Sequence, residues 1–301
     1  MSERERELDV LIVGGGPAGL SAALCLGRAR RRVAVFDEGA PRHAVAAGVH
    51  NYLTRDGLPP AELRSIAWDQ MAAYPSVVGP IRQRVHAPRR EGGAWLLDDA
   101  EGRTWRARAL LLATGVIDEH PAIPGYAERW GHSIFQCPFC HGWEVRDQPV
   151  AVLGSGEAVS HMGPLLKGWS DDVVVLTNGV HLDDARRQGL EAAGVGVRTE
   201  PVAALQGDGQ SLTAIAFVDG SRLARRALFS VTDQRQVSLV EELRLELSEH
   251  GSVVVDMTMA TSAPGVWAAG DMTSRMQQVV EAAAQGFRAG AMIHATLTVG
   301  S

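Results

Sequence analysis

The sequence predicts an α/β protein with two Rossmann-like dinucleotide-binding domains, and two observations support that prediction. A pattern of apolar strand, glycine-rich turn, helix and second strand occurs over residues 8–39 and recurs over residues 149–179. The two copies differ in sequence, as is typical of a divergent internal repeat. We therefore expect the chain to form two nucleotide-type folds.

The composition is that of a globular protein without the features of a nucleic-acid or membrane protein. The chain has 301 residues, of which 46% are apolar and 21% charged, and its formal net charge is −6. The arginines are spread along the chain without interleaved aromatic residues, so nucleic-acid binding is not expected. The charged start MSERERELD does not suit a secretory signal, and no apolar run approaches membrane-spanning length. We expect a cytoplasmic protein.

The first glycine-rich turn lies in the structural context that dinucleotide binding requires. Apolar residues 8–13 predict a buried parallel strand, a helix follows the turn, and a second apolar run over residues 33–36 ends at Asp37. A carboxylate at that position is suited to bind a ribose hydroxyl. The helix start faces the phosphates, where its amides and dipole stabilise negative charge.

The glycines of this turn have separate roles. Gly14 allows the tight turn, Gly16 lets a pyrophosphate approach the backbone, and Gly19 lets the helix pack closely on the strand. The residues that we expect to bind a dinucleotide in this region are Gly14, Gly16, Pro17, Ala18, Gly19, Asp37 and Glu38.

Two later segments indicate which dinucleotide is bound. One apolar strand ends at Thr114-Gly115 and another ends at Gly270-Asp271. With the first turn, they resemble the three FAD-contacting segments of the flavoprotein disulfide reductases that have two dinucleotide folds. The resemblance covers nearly the whole chain. It implies that FAD is the cofactor, that Asp271 binds the ribityl hydroxyls, and that Gln278 and Val279 cap the flavin from a helix start, where reduction adds negative charge.

The loop over residues 40–57 offers further candidates. By the same resemblance it follows the ribose acid and returns beneath the flavin, so we expect Arg42 and Asn51 to contact FAD. His50 is open to two interpretations, a base on the substrate side or a surface histidine.

The second glycine-rich turn departs from the pattern where a nicotinamide cofactor would be held. Gly154 and Gly156 are present, but the third position is Val159, which is larger than the glycine or alanine preferred there. After the next strand, an acid would indicate NAD and arginines would indicate NADP, whereas this chain has Thr177 and Asn178. Either the domain keeps the nucleotide fold only to present other residues, or it retains a weak nicotinamide site.

Two of the three cysteines, Cys137 and Cys140, form a CxxC pair in the stretch CPFCHGWE. A CxxC disulfide closes too short a loop to restrain the unfolded chain much, so a structural disulfide is not expected. A zinc site needs two more ligands, and neither His132 nor His141 stands at the spacing of a recurrent zinc motif. We expect no metal, and we interpret the pair as a redox couple and Cys25 as a small buried residue.

The position of the pair, between the strand ending at Thr114 and the second glycine-rich turn, resembles the low-molecular-weight thioredoxin reductase family. The resemblance implies that Cys137 is the interchange sulfur and Cys140 the flavin-proximal sulfur. His141 stands where that family has an aspartate that moves the proton, and an unperturbed histidine pKa lies close to working pH. The alternative for His141 is a helix-capping or surface role.

The same resemblance implies the domain layout. Residues 1–116 and 247–301 are expected to form an FAD-binding domain of the three-layer ββα type, split by an NAD(P)-binding-like domain over residues 117–246 that carries the CxxC pair. Family members are homodimers, so a homodimer is expected.

The direction of electron flow is predicted from Thr177 and Asn178, because without a partner for the 2′-phosphate the obvious electron donor is missing. The stretch CPFCHGWE with a degenerate nicotinamide segment resembles the FAD-dependent dithiol oxidases of gliotoxin and holomycin biosynthesis. That resemblance implies oxidation of a small-molecule dithiol to an intramolecular disulfide, with molecular oxygen reduced to hydrogen peroxide. The alternatives are an NADPH-dependent or ferredoxin-dependent thioredoxin reductase, and a flavin-bound regulatory or scaffold protein.

Overall fold

The structure, a computed structural model, describes residues 7–299 and forms two compact units. The split unit comprises the residues up to Ala44, Asn51–Ile117 and the residues from Gln234 onward. The middle unit comprises Val45–His50 and Asp118–Asp233. The first unit is thus interrupted by the second, as expected for a split domain.

Both units alternate strands and helices, as predicted for an α/β fold. The strands are β1 (Glu7–Val13), β2 (Val33–Phe36), β3 (Val77–Ile81), β4 (Val85–Glu91), β5 (Ala94–Asp99), β6 (Thr104–Leu112), β7 (Ile117–Glu119), β8 (Ile134–Phe135), β9 (Val150–Leu153), β10 (Val173–Leu176), β11 (Gly196–Arg198), β12 (Val202–Gln206), β13 (Ala214–Phe217), β14 (Arg222–Ala224), β15 (Ala227–Ser230), β16 (Asp233–Arg235) and β17 (Val266–Ala268). The helices are α1 (Pro17–Arg28), α2 (Pro60–Met71), α3 (Pro138–His141), α4 (Gly156–Leu166), α5 (Asp184–Ala192), α6 (Ser238–Glu242) and α7 (Val279–Val299), with 3₁₀ turns at Ala127–Arg129 and Asp271–Thr273.

The split unit is built on a seven-stranded sheet in the order β3-β2-β1-β6-β5-β4, with β17 also paired to β6. β1 pairs in parallel with β2 and β6, so the carboxyl ends of these three strands lie at one edge of the sheet. The start of β6 pairs antiparallel with β5, and its end pairs in parallel with β17. This edge therefore receives the first glycine-rich turn, Asp37, Thr114 and Gly270.

Both faces of this sheet are covered, which explains the continuous apolar runs of its parallel strands. Val10 and Ile12 pack with buried residues of α1 and α7, whereas Leu11 and Val13 pack on the opposite face with Trp95, among others. The alternation follows from the two-residue period of a strand.

Helices α1 and α7 pack against each other backbone to backbone. A Cβ atom added at Gly286 of α7 would lie 2.0 Å from the carbonyl oxygen of Ala18 in α1, and one at Gly290 would lie 3.0 Å from that of Ala22. Glycine is therefore required at position 286, where the start of α1 packs closely against α7.

The middle unit repeats the nucleotide-type pattern. Its five-stranded parallel sheet has the order β11-β10-β9-β15-β8, and a separate antiparallel sheet has the order β12-β13-β14. The predicted strand, glycine-rich turn, helix and strand correspond to β9, the turn at Gly154, α4 and β10. The cysteine pair lies at α3, between β8 and β9.

The unit boundaries differ from the sequence-based layout at two places. The middle unit ends at Asp233 and not at residue 246, because Leu239, Val240 and Leu245 are buried in the core of the split unit. The segment Val45–His50, expected with the rest of its loop around the flavin, belongs to the middle unit.

Within residues 7–299, none of the helices combines the length and apolarity that crossing a membrane requires.

Candidate active site

The first glycine-rich turn has the geometry that the GxGxxG pattern predicts. Gly14 has a φ of +109°, and a Cβ there would lie 2.1 Å from the carbonyl oxygen of Ala113. A Cβ at Gly19 would lie 1.9 Å from the carbonyl oxygen of Gly14, so helix and strand touch there. Gly16 is the N-cap of α1 and has open space over its backbone. The first amides of α1 therefore face a space that an anionic group can enter.

Asp37 lies beside this turn at the end of β2, as predicted, but it is already held by two arginines. Its Oδ2 pairs with Arg64 of α2 and lies 3.1 Å from Nη1 of Arg82, while Oδ1 accepts a hydrogen bond from the Gly39 amide at 3.2 Å. Arg64 also donates to the carbonyl oxygen of Gly15 at 3.3 Å. Arg64 thus fixes the carboxylate against the turn.

A polar cluster joins the loop after β2 to the start of α7. Nη1 of Arg42 donates to Oδ2 of Asp271 at 3.2 Å and to Oε1 of Gln277 at 2.7 Å. Gln277 and Gln234 exchange two amide hydrogen bonds, at 2.8 and 3.0 Å. The structure thus brings Arg42 and Asp271 together, and it adds Gln277 next to the predicted pair of Gln278 and Val279, where α7 begins.

The split unit also contains a buried imidazole that sequence reasoning did not select. Nε2 of His43 is buried without a hydrogen-bond partner among the described residues. Burial lowers the pKa of His43, and the charges of Arg64 and Arg42 lower it further. An unpartnered buried nitrogen flanked by two arginines is suited to receive a polar, anionic ligand.

The residues present in this unit fit FAD. The backbone is open over Gly16 and Gly115, His43 offers an unpartnered nitrogen, and Arg42 and Arg64 supply positive charge. All residues that the sequence predicts for FAD lie in this unit.

For two of the predicted FAD residues, Glu38 and Asn51, the structure shows other contacts. Both carboxylate oxygens of Glu38 lie 3.1 Å from Nε of Arg84, in an exposed pair. Asn51 is exposed and has a φ of +62°. Its backbone amide donates a hydrogen bond to Oδ1 of Asp56 at 2.8 Å. Their prediction as FAD contacts has no support from these positions.

The cysteine pair sits at a single helical turn of the middle unit. Cys137 precedes α3 in an extended conformation, and its carbonyl oxygen accepts the amides of Cys140 at 3.1 Å and His141 at 3.3 Å. Pro138 opens the turn, a position where its fixed φ is favourable. These two backbone bonds close the turn, so the backbones of Cys140 and His141 lie close to that of Cys137.

The imidazole of His141 is held by aromatic stacking and not by hydrogen bonds among the described residues. Its imidazole stacks on Phe135, with ring centroids 4.3 Å apart and planes inclined by 12°. Both ring nitrogens are buried without a partner among the described residues. Burial lowers the pKa of His141 to about 4, with a smaller contribution from the charge of His50. The expectation of a pKa near working pH is therefore wrong, because stacking removes the ring from water.

This depressed pKa predicts a pH-dependent stability. The pKa of His141 is about 4 in the folded protein and 6.5 in the unfolded chain, so the unfolded state binds more protons between these values. Stability is complete above pH 6.5 and falls as the pH approaches 4, by up to about 3 kcal/mol before solvent screening. Urea unfolding of His141→Gln should show a flatter pH dependence in this window. An unchanged slope in the variant would contradict the assignment.

Two aromatic side chains stand exposed at the redox turn. Phe139, between the cysteines, is 59% exposed and meets Trp169 edge to face at 5.6 Å. Trp143, four residues later, is 65% exposed and lies under the guanidinium of Arg146 at 4.1 Å. The pair is thus flanked by apolar surface that a small organic molecule can contact.

The second glycine-rich turn is narrowed where the sequence departs from the pattern. A Cβ at Gly154 would lie 3.0 Å from Cγ1 of Val159. Thr177 is buried, and Oδ1 of Asn178 accepts the Val202 amide at 2.7 Å. Asn178 has a φ of +52°, so it serves as a turn residue. Neither side chain is placed to hold a ribose or its phosphate.

Comparisons with known proteins agree with this arrangement. The family described as "Pyridine nucleotide-disulphide oxidoreductase" matches residues 8–286. The chain is 34% identical to thioredoxin reductase sirT of Leptosphaeria maculans over 95% of this chain and 93% of the relative. It is 33% identical to thioredoxin reductase tcpT of Claviceps purpurea, over 95% and 92% of the two chains. The crystal structure of HlmI superposes with a TM-score of 0.91 at 35% identity, over 97% of this chain and 93% of that one.

Proposed function

We propose an activity from the premise that this chain belongs to the pyridine nucleotide-disulphide oxidoreductase family and is a thioredoxin reductase-like enzyme that binds FAD. The proposed reaction is oxidation of a small-molecule dithiol to its intramolecular disulfide, with one molecule of oxygen reduced to hydrogen peroxide. The dithiol loses two electrons and two protons, and oxygen takes up all four to form hydrogen peroxide. The reaction therefore balances without a nicotinamide cofactor.

The observation that carries this proposal is the degenerate second nucleotide turn. Asn178 uses its side chain to hold the Val202 amide, and Thr177 is buried, so neither contacts a cofactor phosphate. The nearest arginine in the next strand, Arg198, stacks on Phe217 at 3.9 Å and pairs with Glu200 at 3.1 Å. Because these side chains already make contacts within the domain, they do not bind the phosphate of NADPH. The dithiol is then the electron source.

The chain's own residues perform the sulfur chemistry. A substrate thiolate attacks Cys137 of the Cys137–Cys140 disulfide and Cys140 leaves as a thiolate. The second substrate thiolate then attacks the first substrate sulfur and releases Cys137, which closes the substrate disulfide. FAD, when bound, would supply the two-electron acceptor for the reduced Cys137–Cys140 pair and the route by which those electrons reach oxygen. By resemblance, Cys140 is the sulfur that faces the flavin.

His141 has a defined place in this scheme. At neutral pH it is uncharged, so it can accept a proton from a cysteine thiol. A base of such low pKa is weak on its own, but a thiolate formed beside it stabilises the imidazolium. The proton transfer and the formation of the thiolate therefore support each other in a site shielded by Phe135.

A second candidate is the reverse reaction, NADPH-dependent reduction of a disulfide. The relatives named thioredoxin reductase favour it, as does an open cavity of about 460 Å³ beside Asn178, lined in part by His181 and Arg187. Those two side chains could meet a phosphate even though Asn178 cannot.

Anaerobic mixing separates the two candidates. The FAD-loaded protein is mixed with dithiothreitol, with NADPH or with reduced ferredoxin, and flavin absorbance is followed before and after admission of air. We expect dithiothreitol alone to bleach the flavin, and air to restore it with one hydrogen peroxide per dithiol oxidised. Bleaching by NADPH and not by the dithiol would overturn the proposal.

A further inference from the structure

The segment Val45–His50 brings a second histidine to the redox turn. Val49 is 5% exposed, and Val45, although 44% exposed, lies against Gly131 of the same unit, so both ends of the segment contact that unit. His50 follows directly after Val49 and remains partly exposed. Its place in the middle unit is therefore set by packing and is not that of a surface histidine on a loose loop.

Glu144 pairs with this histidine. Nε2 of His50 lies 3.5 Å from Oε1 of Glu144, and the two side chains are 23% and 38% exposed. Glu144 is three residues beyond His141, at the end of the turn that holds Cys137 and Cys140. The pair therefore joins the segment Val45–His50 to the redox turn and has access to water, which the nitrogens of His141 lack.

The charge of His50 acts on His141. It is the coulombic influence that adds to burial in lowering the pKa of His141. Phe135, on which His141 stacks, carries no charge. Helix α4, which packs against α3, carries Glu157 and His161, and both are exposed.

We propose that His50 and Glu144 are positioning residues of the redox site. Glu144 holds the His50 imidazole near His141, and the charge on His50 governs when His141 carries a proton. When a cysteine thiol ionises, its S–H bond breaks, the electron pair stays on sulfur and the proton passes to His141. Two like charges disfavour each other, so the contact between His50 and Glu144 sets how readily His141 holds that proton.

This proposal shares with the proposed function the use of Cys137 and Cys140 as the redox pair and of His141 as the proton acceptor. Its test is a titration rather than turnover, so the two can fail separately. The FAD-loaded protein is labelled with ¹³C at the histidine rings, and the His141 signal, assigned by its absence in His141→Gln, is followed from pH 7.5 to 4.5.

Removing the charge of His50 should make His141 easier to protonate. In His50→Gln we expect the protonated fraction of His141 at pH 5.5 to rise about threefold, which corresponds to a titration shifted upward by about half a pH unit. Glu144→Gln should shift it in the same direction by less, because His50 is then held less firmly while the loss of the carboxylate's negative charge opposes the shift. The double variant should match His50→Gln, since Glu144 acts through His50.

A matched control lies in the split unit. His250 and Glu249 form a similar pair, with Nε2 and Oε1 3.4 Å apart, at an exposed site. His250→Gln should leave the His141 titration unchanged. The proposal is overturned if the His141 titration in His50→Gln coincides with that of the wild type. It is also overturned if His250→Gln shows an equal shift, or if the shifts of the two single variants add in the double variant. Glu144→Gln changes a partly exposed side chain, so it keeps the test valid if His50→Gln folds poorly.

Discussion

Cys140→Ser is expected to abolish dithiol-dependent peroxide formation, with kcat/KM lowered by roughly a thousandfold or more. A serine hydroxyl is neither ionised at neutral pH nor able to form a disulfide with Cys137, so electrons cannot enter the pair. The measurement is peroxide release in air together with flavin absorbance after anaerobic addition of dithiothreitol. The flavin of the variant should stay oxidised.

The control for this variant is Cys25→Ser. Cys25 lies on α1 near Gly290 of α7, in the split unit, and burial raises the pKa of its thiol. A partly buried thiol of raised pKa is a poor nucleophile, so Cys25→Ser should keep wild-type turnover. If Cys140→Ser behaved like wild type in every redox assay, the pair would not be the redox centre, and a regulatory or scaffold role for the flavin-bound protein would replace the proposal.

Alanine at Gly14 and alanine at Gly16 are expected to have different effects, although the two residues are two positions apart. Gly14→Ala places a Cβ 2.1 Å from the Ala113 carbonyl oxygen in a backbone with a φ of +109°. We expect a loss of unfolding free energy of at least about 3 kcal/mol together with loss of FAD. Gly16 has a φ of −82° and open space around its Cβ position, so Gly16→Ala should keep the apoprotein stability of the wild type.

The informative result is the behaviour of Gly16→Ala toward FAD. The added methyl group occupies the space through which a pyrophosphate approaches the backbone, so the FAD content of the purified protein should fall although the fold is intact. Thermal unfolding of the apoprotein and the ratio of flavin to protein absorbance measure the two quantities separately. Wild-type FAD affinity in Gly16→Ala would show that the cofactor does not approach the backbone at this glycine.

Sequence reasoning predicted the parts of the fold that depend on local patterns. The apolar run of residues 33–36 is strand β2 with the same limits, and the strand predicted over residues 8–13 is β1, which begins one residue earlier. The prediction of FAD as cofactor is confirmed by the family to which the chain belongs. These features were accessible because a glycine-rich turn between a buried strand and a helix has few structural alternatives.

Pairings between distant segments were not accessible from the sequence. Arg64 reaches Asp37 from α2, Gln277 reaches Arg42, and His50 reaches Glu144 across more than ninety positions of chain. No periodicity or spacing links such residues, because the contacts arise only when the units fold. The depressed pKa of His141 was missed for the same reason, since it depends on stacking against Phe135.

The end of the middle unit was misplaced for a related reason. The layout implied by the family resemblance placed residues 238–245 in the inserted domain. Leu239 and Val240 of α6 are instead buried in the core of the split unit. An apolar segment at a domain crossing can fill either core, and its own sequence does not say which.

The close seating of α1 on α7 has a consequence for the order in which the chain can mature on the ribosome. The first glycine-rich turn is made early, but Gly286, on which its helix rests, is about 270 residues further along. The strands β8 to β15 of the middle unit are synthesised consecutively and have their sheet partners well before that. Since domains fold as their parts emerge, the middle unit can fold during synthesis, whereas the cofactor pocket is completed only after translation has passed α7. Flavin loading is therefore a late event in the biogenesis of this protein.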